Sequence, residues 1–410
     1  MRHAQSADEI RAPAPTGVDA SGDARGLRVA LFSGNYNYTR DGANQALNRL
    51  TGFLLGRGAA VRVYSPTTPT PAFEPVGELV SVPSIAIPGR GEYRLGLGLP
   101  RRLRDDVRAF APTVVHLSAP DLLGRQAQRF ARELGAPVIS SVHTRFETYL
   151  TYYGLGWLQA KAVAYLRSFY SGCDALLAPN APMAELMADQ APNVPIRLWP
   201  RGVEHDRFAP ARRSAAWRAA IGLQPDEVAV LFLGRLVQEK GLGQLAQTFA
   251  RLQGRVRPLI VGDGPARAWL ESRLPGAIFT GFLMGDDLAR AVASADLMFN
   301  PSRTETFGNA TLESMAAGLP IVAPPAPSTR ELIRHGHEGL VVEKPEAADY
   351  AAAILQLAED ADQRARLGRG AYEASLRYDW AACCGRVLDA YREFGALDPV
   401  AARAGAHAGG

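Results

Sequence analysis

The sequence predicts an α/β protein of two doubly wound domains, each a parallel sheet flanked by helices. Three observations predict it. Short, almost wholly apolar runs alternate with longer amphipathic stretches, the pattern of buried parallel strands joined by crossover helices. The alternation breaks in a Pro- and Arg-rich segment at 191–216, which reads as a linker between two domains, and then restarts. Finally, 410 residues exceed one ordinary core, at roughly 150 residues per domain.

Taken in order, residues 1–26 lack an apolar segment and read as a disordered tail, not a signal peptide. LRVALFS (27–33) is the first buried strand, and Ala43 to Gly56 reads as a helix. AVRVYSP (60–66), TVVHLS (113–118), PVISSVH (137–143) and ALLAP (175–179) continue the strand series, giving a first domain over 27–205. The second domain, 206–378, runs through VAVLFLG (228–234), the helix GLGQLAQTFARLQ, RPLIVGDG (257–264), AIFTGF (277–282), DLMFNPS (296–302), PIVAP (320–324) and GLVVE (339–343). A last helix within 379–395 is expected to pack back toward the first domain, and 396–410 to be a flexible tail. Ligands of such sheets bind outside the carboxyl ends of the strands. Chemistry is therefore expected at strand ends facing a cleft between the domains.

Composition narrows the function classes. A net charge of +4 permits attraction to phosphates or anionic lipid but is too mild to point to nucleic acid. Cys173, Cys383 and Cys384 have neither disulfide nor zinc spacing, which fits a reducing cytoplasm. No apolar run approaches the length of a membrane span.

Four segments carry chemistry. In NPSRTETFGNATLESMAAGLP (300–320) a strand ends, a loop carries Glu305, and a helix starting near Gly308 carries Glu313. Free amides at that helix start suit phosphate, and carboxylates accept from sugar hydroxyls. In FLGRLVQEKGL (232–242), Gly234 ends a strand, and Arg235 and Lys240 can neutralise a diphosphate. In IVGDGPAR (260–267), Gly262 and Gly264 permit a close backbone turn beside a ligand. In SSVHTRFETY (140–149), His143 stands at a strand end and Glu147 follows one helical turn on. The other histidines lack metal-ligand spacing, Asp360-Ala-Asp362 reads as a solvated helical stretch, and no metal or other cofactor is expected.

The 300–320 segment resembles the signature of glycosyltransferase family four, a retaining family of the GT-B fold with two Rossmann-like domains facing across a cleft. The Gly-Arg-x4-Lys spacing and the His143-Thr144 pair match it too. The resemblance implies that Glu305 binds hydroxyls of the transferred sugar and Glu313 the nucleotide ribose. Thr306, Phe307, Gly308, Asn309 and Ala310 would meet sugar and diphosphate. Arg235 and Lys240 would stabilise the departing diphosphate, and His143 would hydrogen-bond the donor sugar. With Glu305, these three form the candidate catalytic set. Gly234, Gly262 and Gly264 belong to the donor side, and Phe282 is a candidate nucleobase contact. In SGNYNYTRDGANQALNRL (33–50), Gly42 is the position where backbone would meet the donor phosphates. Tyr36, Tyr38, Arg40, Asn44 and Glu147 are acceptor-side candidates.

The implied function is retaining, metal-independent transfer of a hexosyl group from a UDP- or GDP-sugar to a lipid or glycan hydroxyl. Alternatives are a sugar-nucleotide epimerase of similar shape and a non-catalytic nucleotide-sugar-binding partner protein. A nicotinamide oxidoreductase is disfavoured, because no Gly-x-Gly-x-x-Gly follows the first strand. Arginines in 91–110 and aromatics in 151–170 suit an anionic lipid interface, placing the protein in the cytoplasm or peripherally on the cytoplasmic face of the inner membrane. Relatives acting on lipid acceptors, GDP-mannose-dependent α-mannosyltransferases and sulfoquinovosyl transferases, resemble the first half best.

Overall fold

A computed structural model of the protein describes residues 23–39, 41–87, 90–143 and 159–395. The chain divides into two compact units. One runs to Arg201 and resumes at Trp380, and the other is Gly202–Asp379.

The first unit is built on a seven-stranded sheet in the order β3-β2-β1-β6-β7-β8-β9, with every pairing parallel. Its strands are β1 (Arg28–Phe32), β2 (Ala60–Ser65), β3 (Glu78–Ser81), β6 (Val114–Leu117), β7 (Val138–Ser141), β8 (Ala175–Ala178) and β9 (Ile196–Leu198). β4 (Ser84–Ile87) and β5 (Arg90–Gly96) form a separate antiparallel pair. Side chains alternate across a strand, so the apolar run of β1 feeds both faces. Ala30 and Phe32 join the core under the helix Leu122–Leu134, while Val29 and Leu31 join the core under Gly42–Leu55 and the last helix, Trp380–Glu393.

The second unit repeats the plan in the order β12-β11-β10-β13-β14-β15, again all parallel. The strands are β10 (Ala229–Leu233), β11 (Arg257–Val261), β12 (Ile278–Gly281), β13 (Leu297–Phe299), β14 (Ile321–Ala323) and β15 (Gly339–Val341). Leu231 faces one core, and Val230 and Phe232 the other. The strand order reverses between β1 and β6 in one sheet and between β10 and β13 in the other. Those are the places where an open α/β sheet leaves a crevice at its strand ends.

Several elements differ from the sequence reading. The 191–216 segment, read as a linker, begins with edge strand β9, and Trp199 behind it is fully buried. Three residues with a central arginine are too short to show a period. β3 and the β4–β5 pair were likewise invisible, because their residues are largely exposed or half-buried. In the helix Gln159–Tyr170, read as part of a lipid-facing aromatic stretch, Phe169 and Tyr170 are buried in the core and Tyr165 is partly exposed. Asp360 caps the helix Ala361–Ser375 by accepting from the Gln363 amide, a structural use for the Asp-x-Asp pair.

Candidate active site

In the second unit, the loops after β10, β11 and β13 are held together by backbone contacts that only glycine permits. Gly262 has φ of 138°, and a Cβ there would lie 2.0 Å from the Gly234 carbonyl oxygen. A Cβ on Gly264 would lie 2.5 Å from the Leu236 carbonyl oxygen. The loops also bond directly: the Leu236 amide donates to Asp263 O at 2.9 Å, and Thr304 Oγ1 to Glu239 O at 3.1 Å. This packing brings Lys240 to Glu305, with Nζ donating to Oε1 at 2.6 Å. Both side chains keep partial exposure, and Arg235, two residues after β10 ends, is exposed. Two cations and a carboxylate thus stand where β10 and β13 end.

The helix Asn309–Ala316 starts at the same place. Its N-cap is Gly308, at φ of 98°, and no side chain caps it. Its first amides are therefore open to ligand oxygens, and the helix dipole favours an anion there. Thr306, Asn309 and Ala310 are partly exposed around this start, whereas the Phe307 side chain is buried edge-on to Tyr378 at 5.8 Å. Phe282, after β12, is 61% exposed, a free aromatic face near Gly281.

Glu313 lies one turn along that helix. Its side chain is partly exposed, but protein surrounds the carboxyl closely enough that desolvation pushes it up to about 7. Glu204 adds to the rise and Arg207 opposes it. Glu204 and Arg207 form an ion pair of their own. The sequence reading missed both, because RGVEHDRF was taken as linker. The signal was an acid and a base three apart, a few residues after Trp199-Pro200.

In the first unit, His143 stands two residues beyond β7. Its Nε2 is 2.8 Å from Ser141 Oγ, and its Nδ1 is 2.7 Å from Arg201 Nη2. Burial holds the imidazole well below its usual protonation range, and the Arg201 charge adds to this. Ser141 Oγ continues to His116 Nε2 at 2.8 Å, and His116 Nδ1 to Tyr391 Oη at 2.5 Å. Trp199 lies edge-on to both imidazoles. None of Arg201, Ser141, His116 or Tyr391 was singled out from the sequence.

The acceptor-side candidates after β1 turn out differently. Tyr36 is fully buried and donates from its hydroxyl to Val76 O at 2.7 Å, so it is a core residue rather than a ligand contact. Tyr38 is 7% exposed and donates to Gly34 O at 2.8 Å. Asn44 is fully buried in a capping box with Asp41 and also donates to Thr39 O. These three shape the loop from within. Gly42 is the first residue of the helix that Asp41 caps. Arg40 and Glu147 lie outside the described residues. Among the described residues, no group of three or more His, Cys, Asp or Glu could hold a metal ion.

Residues 40–207 match the family model described as "Glycosyltransferase Family 4", and 227–360 match "Glycosyl transferases group 1". The chain is 34% identical over 374 residues to a GDP-mannose-dependent alpha-mannosyltransferase of Mycolicibacterium smegmatis, covering 89% of this chain and 97% of that one. It is 29% identical to the sulfoquinovosyl transferase SQD2 of Arabidopsis thaliana, covering 93% of this chain and 76% of the relative. Among solved structures, sucrose-phosphate synthase from Thermosynechococcus elongatus superposes with a TM-score of 0.73 at 21% identity, covering 91% of this chain and all of the other.

Proposed function

This chain belongs to glycosyltransferase family 4, with the GT-B fold, and from that premise we propose that it moves mannose from GDP-mannose to a hydroxyl of a membrane lipid or a growing glycan. The observation that carries this reading is identity of 34% spread across 97% of a GDP-mannose-dependent enzyme, which takes in the residues of both units. The family membership leaves the epimerase and binding-protein alternatives without support.

In the proposed reaction, the bond from the anomeric carbon to the diphosphate oxygen breaks, and its electron pair leaves with the diphosphate. The acceptor oxygen bonds to the same face of that carbon, and its proton leaves with the departing phosphate, so configuration is retained. Arg235, Lys240 and the uncapped amides after Gly308 supply preorganised positive charge for the leaving group. No divalent metal is needed for that neutralisation. Glu305, already paired with Lys240, keeps lone pairs for the sugar hydroxyls, and Glu313 accepts from the ribose. His143 meets an oxygen of the donor sugar.

Peripheral attachment to an anionic membrane belongs to the same proposal. No helix among the described residues is long and apolar enough to cross a membrane. Supporting attachment, Leu95 and Leu97 are exposed, followed by a helix that turns Leu103 and Val107 inward and Arg101, Arg102 and Arg104 outward. Flotation with vesicles containing anionic phospholipid should carry the protein, and failure to float would remove this part.

The test of function is incubation with labelled GDP-mannose, UDP-glucose and UDP-galactose plus membrane lipid extract, with and without EDTA. An α-linked mannosyl product formed in EDTA is expected. Transfer only from a UDP-sugar, a β-linked product, or loss of transfer in EDTA would each overturn the corresponding claim.

A further inference from the structure

The arrangement around His143 fixes more than its position. A guanidinium has only donors, so His143 Nδ1, 2.7 Å from Arg201 Nη2, must accept. An accepting Nδ1 leaves the ring neutral, with its proton on Nε2. That proton is then donated to Ser141 Oγ at 2.8 Å. A serine hydroxyl could pair with either tautomer, accepting from a protonated Nε2 or donating to a bare one, but arginine permits only one.

We infer that Arg201 is a positioning residue that locks His143 as an Nε2–H donor, and that Ser141 occupies the place taken by a donor-sugar oxygen during transfer. The second clause rests on the sugar contact proposed above for His143. The first rests on this unit's geometry alone. Arg201 suits the task because its planar fork reaches two acceptors at once: Trp199 O, 2.9 Å from Nη1, as well as the imidazole. The guanidinium also lies over the Trp199 ring, 4.9 Å from its centroid. At 5% exposure it is a buried cation whose hydrogen bonds among the described residues go to a carbonyl and an imidazole, neither of them charged. Burying a charge on neutral partners is expensive, so it is expected where something needs it. Holding one histidine tautomer is such a need. A neutral donor N–H at the strand end adds no positive charge, and it can change partner from serine to ligand without moving a proton. His143 itself retains 9% exposure, a small opening to solvent.

The test is nitrogen NMR on the full-length protein labelled with 15N-histidine. Wild type should show His143 protonated on Nε2 and bare on Nδ1. Arg201→Met should give mixed tautomers, with kcat for mannosyl transfer falling roughly 10- to 100-fold and the KM for GDP-mannose nearly unchanged. Arg201→Lys, which keeps one donor, should restore the Nε2–H form and most of kcat. Should Arg201→Met fail to fold, Ser141→Ala serves: its His143 proton should stay on Nε2, and GDP-mannose should shift that nitrogen as it does in wild type. His143 protonated on Nδ1 in wild type or in Ser141→Ala, or equal losses in the Met and Lys variants, would overturn the lock. A lock that holds while GDP-mannose leaves Nε2 unshifted would overturn the place-holder role of Ser141. The tautomer is read without any substrate, so a wrong donor assignment would not disturb it.

Discussion

At the ends of β10 and β13 the second unit presents Arg235, Lys240 and Glu305 partly in solvent, on loops clasped by glycine contacts. At the end of β7 the first unit encloses His143 in a buried chain of side chains closed by one buried arginine. The same doubly wound plan thus handles charge in two ways. On the function proposed above, the side chains that would meet a diphosphate stay ionised and partly hydrated, with Lys240 and Glu305 paired, while the donor that would orient a neutral sugar oxygen is desolvated and fixed by its neighbours. The difference teaches that the strand-end position is shared by topology, while the character of each site is set by what surrounds it.

The sharpest way to break this contrast is at Lys240. A partly exposed ion pair contributes about 0.2–1 kcal/mol to stability, whereas a preorganised charge facing a leaving group is worth about 10²–10³ in kcat. Lys240→Met should therefore lower kcat by that factor while thermal unfolding stays within a few degrees of wild type. A large drop in melting temperature with kcat intact would reverse the assignment. Next comes the clasp. Gly262→Ala puts a methyl 2.0 Å from the Gly234 carbonyl in a backbone region L-residues avoid, and should destabilise by about 3 kcal/mol. Unfolding in urea would detect it, and an unchanged midpoint would show that the loops are not so closely packed.

Glu313 tests the contrast from inside the second unit, since it is a carboxylate in a partly desolvated place. Its carboxyl titrates near 4.5 in the unfolded chain and near 7 when folded. Between those values the folded state binds more protons than the unfolded one. Stability therefore falls as pH rises through that window and levels off above about 7, a loss of about 3 kcal/mol. Glu313→Gln should flatten this slope. Ribose hydroxyls favour the ionised form, so GDP binding should tighten from pH 6 to 8 in wild type and stay level in the variant. Calorimetric titration across that range decides it.

The two regions were also unequally legible in sequence. Glu305, Arg235, Lys240 and the glycines lie in segments whose polar residues follow apolar strands, and Glu313 lies in the helix that starts four residues after Glu305, so their pattern stands out at short range. His143 is conspicuous too, but its partners come from 58 residues downstream at Arg201 and from Tyr391 in the last helix. No local spacing links them. Tyr36, Tyr38 and Asn44 misled for the opposite reason. A polar loop with aromatics looks like a ligand surface, and only tertiary packing reveals that their hydroxyls and amide bond inward. Strand β9, with Arg197 between two apolar residues, was hidden by its brevity.

The smallest expected effect lies at the far end of the His143 chain. Tyr391 Oη bonds His116 Nδ1 at 2.5 Å, and both rings are fully buried. Tyr391→Phe removes the hydroxyl and leaves a buried ring nitrogen without its partner, which costs about 1–2 kcal/mol of stability. The melting temperature should drop by roughly 2–4 °C. Activity should hardly move, because Arg201 still holds His143 Nδ1 and so still fixes the tautomer two links away. The outer links would then serve the core, and Arg201 alone the site. If instead kcat falls as far as it does in Arg201→Met while the protein remains folded, the whole chain from the last helix to His143 acts as one unit, and the line between scaffold and site in the first unit must be drawn beyond Tyr391.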